Sequence, residues 1–169
     1  METYFVNWYG PFTHDEVNRL YDKNNLYEGF SGNGLYAWTG KVKRQRNNAC
    51  LKYIGITSVT FWERFAAKDH KHWNINRDKY VWLGKVQNKK STKVDLEAAE
   101  YLLISYCAPI LNDQKTDTLP PFSCTVISKF FKKDKTAYQR VPSIIRPIPD
   151  VVIWNHESEK LSDGTLRTY

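Results

Sequence analysis

Two short segments, Leu35–Gly40 (LYAWTG) and Ala49–Ile56 (ACLKYIGI), are rich in residues that favour extended backbone, and the basic run Lys41–Asn48 (KVKRQRNN) separates them. Two such segments in tandem predict an antiparallel hairpin with a long loop. A hairpin alone is marginal in water, so the chain must supply further elements to cover it. Lys79–Val86 (KYVWLGKV) alternates as a third strand should.

The remaining segments read as helices and connections. Thr13 followed by Glu16 is a capping-box pattern that predicts a helix of about three turns through Tyr21. Thr57 or Ser58 can cap a second helix running to about Lys68, and Val94–Tyr106 has helical periodicity that ends before Pro109. Thr3–Trp8 is a short β-prone stretch, and LYEGFSGNG up to Gly34 and QNKKSTK after the third strand read as turns. Five of the seven prolines fall after Thr118, so that region is expected to be irregular, with short strands near 124–130 and 150–154.

With 169 residues, one domain with an appendage is expected. No apolar run approaches the roughly 18 residues of a membrane span, and Met1–Gly10 is polar and aromatic rather than leader-like, so no membrane association and a cytoplasmic location are expected. The three cysteines, Cys50, Cys107 and Cys124, are widely spaced with no C-x-x-C, which predicts reduced, packed thiols.

Charge is concentrated. The net charge is +7, yet residues 34–92 alone hold 13 Lys and Arg against 3 Asp and Glu. Lys41, Lys43, Arg44 and Arg46 crowd the hairpin loop, and Arg64, Lys68, Lys71, Arg77 and Lys79 follow, interleaved with Trp62, Trp73 and Trp82. Such a stretch predicts a polyanionic partner held by counterion release. His70 and His72, two apart in HKHW, have no acidic or Cys partner at metal-binding spacing and are expected near phosphates or solvent.

The helix at 94–106 holds an anomaly. At about 100° per residue, Leu96, Leu103, Ile104 and Cys107 all lie within about 60° of Glu100 around the axis. A carboxylate inside an apolar stripe must be paired, hydrogen-bonded or metal-bound.

Gly34-Leu35-Tyr36, then Tyr53-Ile54-Gly55, then Arg64 nine residues past the second glycine, then Glu100 before LLI, Pro109 and Asn112, follow one another in order. In this the chain resembles the GIY-YIG nuclease family, over about 80 of its residues. The resemblance implies an α+β fold with a small three-stranded antiparallel sheet flanked by helices. It places an N-terminal arm with a short helix at 1–33, a catalytic core at 34–113 and a proline-rich extension at 114–169, packed on the core or making DNA or dimer contacts. It further implies an endonuclease that hydrolyses DNA phosphodiester bonds, with Tyr36, Tyr53, Arg64, Glu100 and Asn112 lining one site. Glu100 would hold a single Mg²⁺ (or Mn²⁺), and Arg64 would grip the scissile phosphate with two donors, a task for which Lys is a poor substitute.

A tyrosine would activate water, Tyr36 before Tyr53, and a phenol needs its pKa lowered for that. Where some relatives have a helping His four residues after the arginine, this chain has Lys68, with His70 two further on; both are candidates for the proton path. Where some have Lys after the second glycine, this chain has Ile56, so that cation is supplied elsewhere, with Lys52 and Lys68 as candidates, or not at all. Asn112 would hold the Glu100 region or a metal-bound water, or simply shape the helix exit.

The compact chain looks most like a type II restriction endonuclease, which would cut as a homodimer. Lys41, Lys43, Arg44, Arg46, Lys71, Asn74, Asn76 and Arg77 are candidate DNA contacts, with Arg44, Arg46, Arg77, Asn74 and Asn76 as base readers. The alternatives are a phage or repair structure-selective endonuclease, and a non-catalytic nucleic-acid-binding protein.

Overall fold

The computed structural model describes residues 1–20, 33–88, 92–113 and 116–166. In chain order the elements are β1 (Glu2–Phe12), α1 (His14–Leu20), β2 (Gly34–Val42), β3 (Cys50–Thr57), α2 (Phe61–Ala66), β4 (Ile75–Val86), α3 (Lys93–Cys107), β5 (Cys124–Phe131), β6 (Val151–Asn155) and β7 (Lys160–Gly164). The strands form one seven-stranded sheet in the order β3-β2-β4-β1-β5-β6-β7. Every neighbouring pair is antiparallel except β1 and β5, which run parallel from Glu2–Cys124 to Tyr9–Phe131.

This overturns the expected small three-stranded sheet flanked by helices. β2, β3 and β4 do pair as anticipated, with Tyr36 opposite Gly55 and Leu83. But β4 buries Val81, Trp82, Leu83 and Gly84 in succession, a run that needs cover on both faces and a partner on its outer edge. That partner is β1, eleven residues long, so the segment expected to be an arm lies inside the sheet. The C-terminal region adds three more strands. Its prolines sit in the connections, Pro120 and Pro121 before β5 and Pro142, Pro147 and Pro149 between β5 and β6, and leave the ladders intact.

Alternation along the strands feeds two cores. Tyr4, Val6 and Trp8 of β1 and Leu35 and Ala37 of β2 belong to the larger one, with Leu96, Ala99, Leu102 and Leu103 of α3 and Val126 and Val152 of the C-terminal strands. Tyr36 and Trp38 belong to the other, with Phe61 and Phe65 of α2, Val17 of α1 and Val81 and Leu83 of β4. β2 is thus covered on both faces, and its residues 34–40 are all buried.

The helix ends follow local chemistry. Thr13 and Glu16 form the expected reciprocal pair, Glu16 N–H donating to Thr13 Oγ1 (3.2 Å) and Thr13 N–H to Glu16 Oε2 (2.8 Å); Tyr21, the expected end, lies outside the described residues. The N-cap of α2 is Thr60, not Thr57 or Ser58, because Thr57 still belongs to β3 and its hydroxyl is committed to the Val59 backbone. α2 also stops at Ala66, short of Lys68. α3 is capped by Thr92 and Asp95 and ends at Ala108 in a left-handed conformation just before Pro109. The cysteines are free thiols, Cys124 buried and Cys50 and Cys107 partly so. No helix among the described residues is long and apolar enough to cross a membrane.

Trp8 bridges the two halves of the sheet. It is fully buried, and its indole N–H donates to Ser128 Oγ of β5 at 3.2 Å. Trp8→Ala is expected to cost about 3–5 kcal/mol through the cavity and the orphaned hydroxyl. Urea unfolding would measure it, and a loss under about 1 kcal/mol would mean that the halves are joined elsewhere.

Candidate active site

A cavity of about 310 Å³ opens beside β3, lined by Tyr36, Tyr53, Arg64, Glu100 and Asn112 together with Ile56, Lys71, Leu111 and Asp113. The five residues that the resemblance placed in one site therefore do line one cavity, drawn from β2, β3, α2, α3 and the segment after α3.

Sheet geometry explains the two tyrosines. Tyr36 faces Gly55 across the β2–β3 ladder and Tyr53 lies two residues away on the same face, so their rings stack with centroids 6.0 Å apart. Gly55 is required by this close approach, since a Cβ there would sit 2.6 Å from Tyr36 Oη. Gly34 is required for a similar reason, its Cβ position lying 2.8 Å from the Phe61 ring and from the Gly84 carbonyl oxygen.

Tyr36 Oη accepts the Arg64 Nε–H at 3.2 Å and lies 2.9 Å from His70 Nε2. The hydrogen-bond network assigns the His70 tautomer. His70 Nδ1 accepts the backbone N–H of His72 at 3.1 Å and lies 2.7 Å from His72 Nδ1, so it carries no proton. A neutral imidazole then holds its proton on Nε2 and donates it to Tyr36. His72 Nδ1 donates to His70, and its Nε2 has no hydrogen-bond partner among the described residues.

Both histidines are buried, which corrects the expectation that they would face phosphates or solvent. The 3-10 turn Lys71–Asn74 begins at His70 and turns both rings inward, where His72 stacks on Trp38 at 4.5 Å and His70 packs on Phe65. Burial, with the nearby Arg64 charge, lowers the His70 pKa to about 4. Burial and His70 lower that of His72 to about 3. Burial, reinforced by Tyr53, drives the Tyr36 phenol the other way, well above its ordinary range and against the expected fall; Arg64 only partly opposes it.

Glu100 is buried in the cavity wall on α3. Asn112 holds β3: its Oδ1 accepts Ile54 N–H (2.9 Å) and its Nδ2 donates to Ile54 O (2.8 Å), so its amide acts on the strand backbone. Of the cations expected near Ile56, Lys52 is buried with its ammonium on Cys50 Sγ (3.2 Å), and Lys68 is exposed and does not line the cavity. Lys71 lines it instead, paired with Asp113. Lys71, expected as a DNA contact, lines the cavity, and the inward placement of His72 and the part of Asp113 had no sequence signal beyond the density of His and Lys at 70–72.

No family model matches the chain, nor does any curated protein or solved structure.

Among the described residues no three His, Cys, Asp or Glu side chains form a metal cage. A hard ion such as Mg²⁺ takes one or two carboxylates and completes its shell with water and phosphate oxygens; in this cavity Glu100 could supply one, while the second carboxylate, Asp113, is paired with Lys71. Lys43, Arg44, Arg46, Asn74, Asn76 and Arg77 are all exposed, and Lys43, Asn74 and Asn76 line a second opening that shares Leu111 with this cavity. Arg77 donates to the Gln45 carbonyl (2.8 Å) and Lys41 pairs with Asp78 (3.7 Å), which ties the hairpin loop to the start of β4.

The unfolded chain protonates its histidines near pH 6.5 and the folded protein only near 4 and 3, so their contribution to stability is complete above pH 6.5 and is lost as pH falls through that window. Each ring is expected to contribute a slope of up to about 1.4 kcal/mol per pH unit. Urea unfolding between pH 7 and 4 would measure this, and His72→Phe should remove about half of the slope. An unaltered slope in that variant would exclude His72 as a source.

Proposed function

We propose that the protein is a metal-dependent endonuclease that hydrolyses DNA phosphodiester bonds. The observation that carries this is the shared cavity: an arginine, two stacked tyrosines and a buried glutamate from four separate elements line one opening, in a chain whose residues 34–92 carry a net charge of +10.

Phosphodiester hydrolysis places growing negative charge on the phosphate and needs a proton removed from the attacking water. Arg64 supports both needs, since its guanidinium reaches the hydroxyls of Tyr36 and Tyr53 and opens onto the same cavity as Glu100. Tyr36 oxygen receives N–H donors from Arg64 and His70, which leaves its own O–H for a ligand in the cavity. A phenol takes a proton from water only as its phenolate, and burial opposes that form at Tyr36. Tyr53, half-buried, is therefore the tyrosine that accepts the proton, with Tyr36 orienting the phosphate or the water. Glu100 is the residue that would hold Mg²⁺ or Mn²⁺, whose chemistry when bound is to neutralise charge on the phosphate oxygens. The basic surface around the hairpin loop carries the DNA backbone, and site-specific, restriction-type cleavage by a homodimer is the finer form of the proposal.

Plasmid and linear duplex DNA incubated with Mg²⁺ should be cut, and EDTA should stop the reaction. Glu100→Gln and Arg64→Lys should each slow it by at least about a hundredfold while leaving the urea midpoint near that of the parent protein. Cleavage ends that share a sequence would support restriction, and scattered ends would exclude it. Metal-independent cutting, or none in any substrate, would falsify the proposal.

A further inference from the structure

A second cavity of about 310 Å³ adjoins the first, and Leu111 lines both. Its wall includes Trp73, Asn74, Asn76, Lys43 and Ile110. Trp73 is 48% exposed although its indole N–H is already committed to the Ala67 carbonyl at 3.0 Å. The ring is further fixed by His72, 4.4 Å away, and by the Lys79 ammonium, 4.7 Å from its centroid. What remains is a rigid aromatic surface facing an opening, with little side-chain entropy left to lose on binding.

The neighbouring groups narrow the ligand. Asn74, the last residue of the 3-10 turn, and Asn76, the second residue of β4, are both exposed and both line this opening. A primary amide both donates and accepts, which matches the edge of a nucleobase. Lys43 adds a positive charge at the rim, within a segment whose net charge is +10. A purely apolar partner would leave the two amides unmatched, and an acidic peptide would use Lys43 and the amides but offer Trp73 no planar ring to stack on. Aromatic surface, paired amides and a cation together fit a base attached to a phosphate.

We propose that this cavity holds one unpaired nucleobase of the nucleic-acid strand whose phosphate enters the Arg64–Glu100 cavity. The inference rests on the nuclease function proposed above and specifies the substrate of that site. The base lies over Trp73 with its edge on Asn74 and Asn76. A nucleotide already out of the stack binds more tightly than one that must be extruded, because no unstacking energy is needed.

The test is fluorescence anisotropy in EDTA, so that no cleavage is required, with a labelled duplex carrying a single-nucleotide bulge and the same duplex fully paired. The parent protein is expected to bind the bulged duplex about tenfold more tightly, the value of one stacked base. Trp73→Leu should remove the preference and Trp73→Phe should retain most of it. Equal affinity of the parent protein for both duplexes, or a preference that survives in Trp73→Leu, would overturn the assignment. A nucleoside monophosphate should compete only weakly; displacement of both duplexes at equal concentrations of it would overturn the strand in favour of a free nucleotide. The two proposals fail separately: a bulge preference without metal-dependent cleavage removes the nuclease function and keeps the pocket, and cleavage without the preference does the reverse.

Discussion

Much of the molecule depends on one side chain that behaves as a piece of strand. β3 lies at the end of the sheet, and an edge strand exposes backbone donors and acceptors that must find partners. Asn112 meets both groups of Ile54 with its amide, and the neighbouring Leu111 N–H donates to the Lys52 carbonyl at 2.9 Å. These bonds attach the segment after α3 to β3. With α3 anchored at its exit, Glu100 is held beside the strand that carries Tyr53, and the wall of the cavity is fixed from both sides.

The parts of the site legible in the sequence were those set by local periodicity. A strand alternates faces, so Tyr36 and Tyr53 could be placed together from their motifs, and the helical period exposed Glu100 as a carboxylate on a buried stripe. What could not be read was set by distant partners. Nothing local to Glu2–Phe12 says that it will lie between β4 and β5, which are 60 or more residues away in the chain. The spacing of His70 and His72 says nothing of their burial, which comes from a 3-10 turn that packs the rings against Trp38 and Phe65. The prolines misled in the same way, since they mark connections and say little about the strands between them.

The electrostatics of the site divide by depth. Exposed cations form an outer layer, where the hairpin loop and the start of β4 are tied together by Arg77 and Lys41. Beneath them lies an inner layer kept neutral by burial, in which two histidines and a tyrosine are linked by hydrogen bonds. Arg64 is the link between the layers, partly exposed yet bonded to Tyr36. Under the proposed function, a polyanion would meet at Arg64 a guanidinium backed by an uncharged, hydrogen-bonded network, an arrangement that favours orientation over loose attraction.

The parallel pairing of β1 with β5 also has a consequence for biosynthesis. β1 is synthesised before the other strands of the sheet, but the strand that closes its outer edge begins only at Cys124. Until then β3, β2, β4 and β1 can assemble only with β1 as an open border, with Tyr4, Val6 and Trp8 lacking part of their cover. With its closing contact so distant in sequence, the outer edge of β1 stays open to edge-to-edge pairing through the interval between synthesis of β4 and of β5.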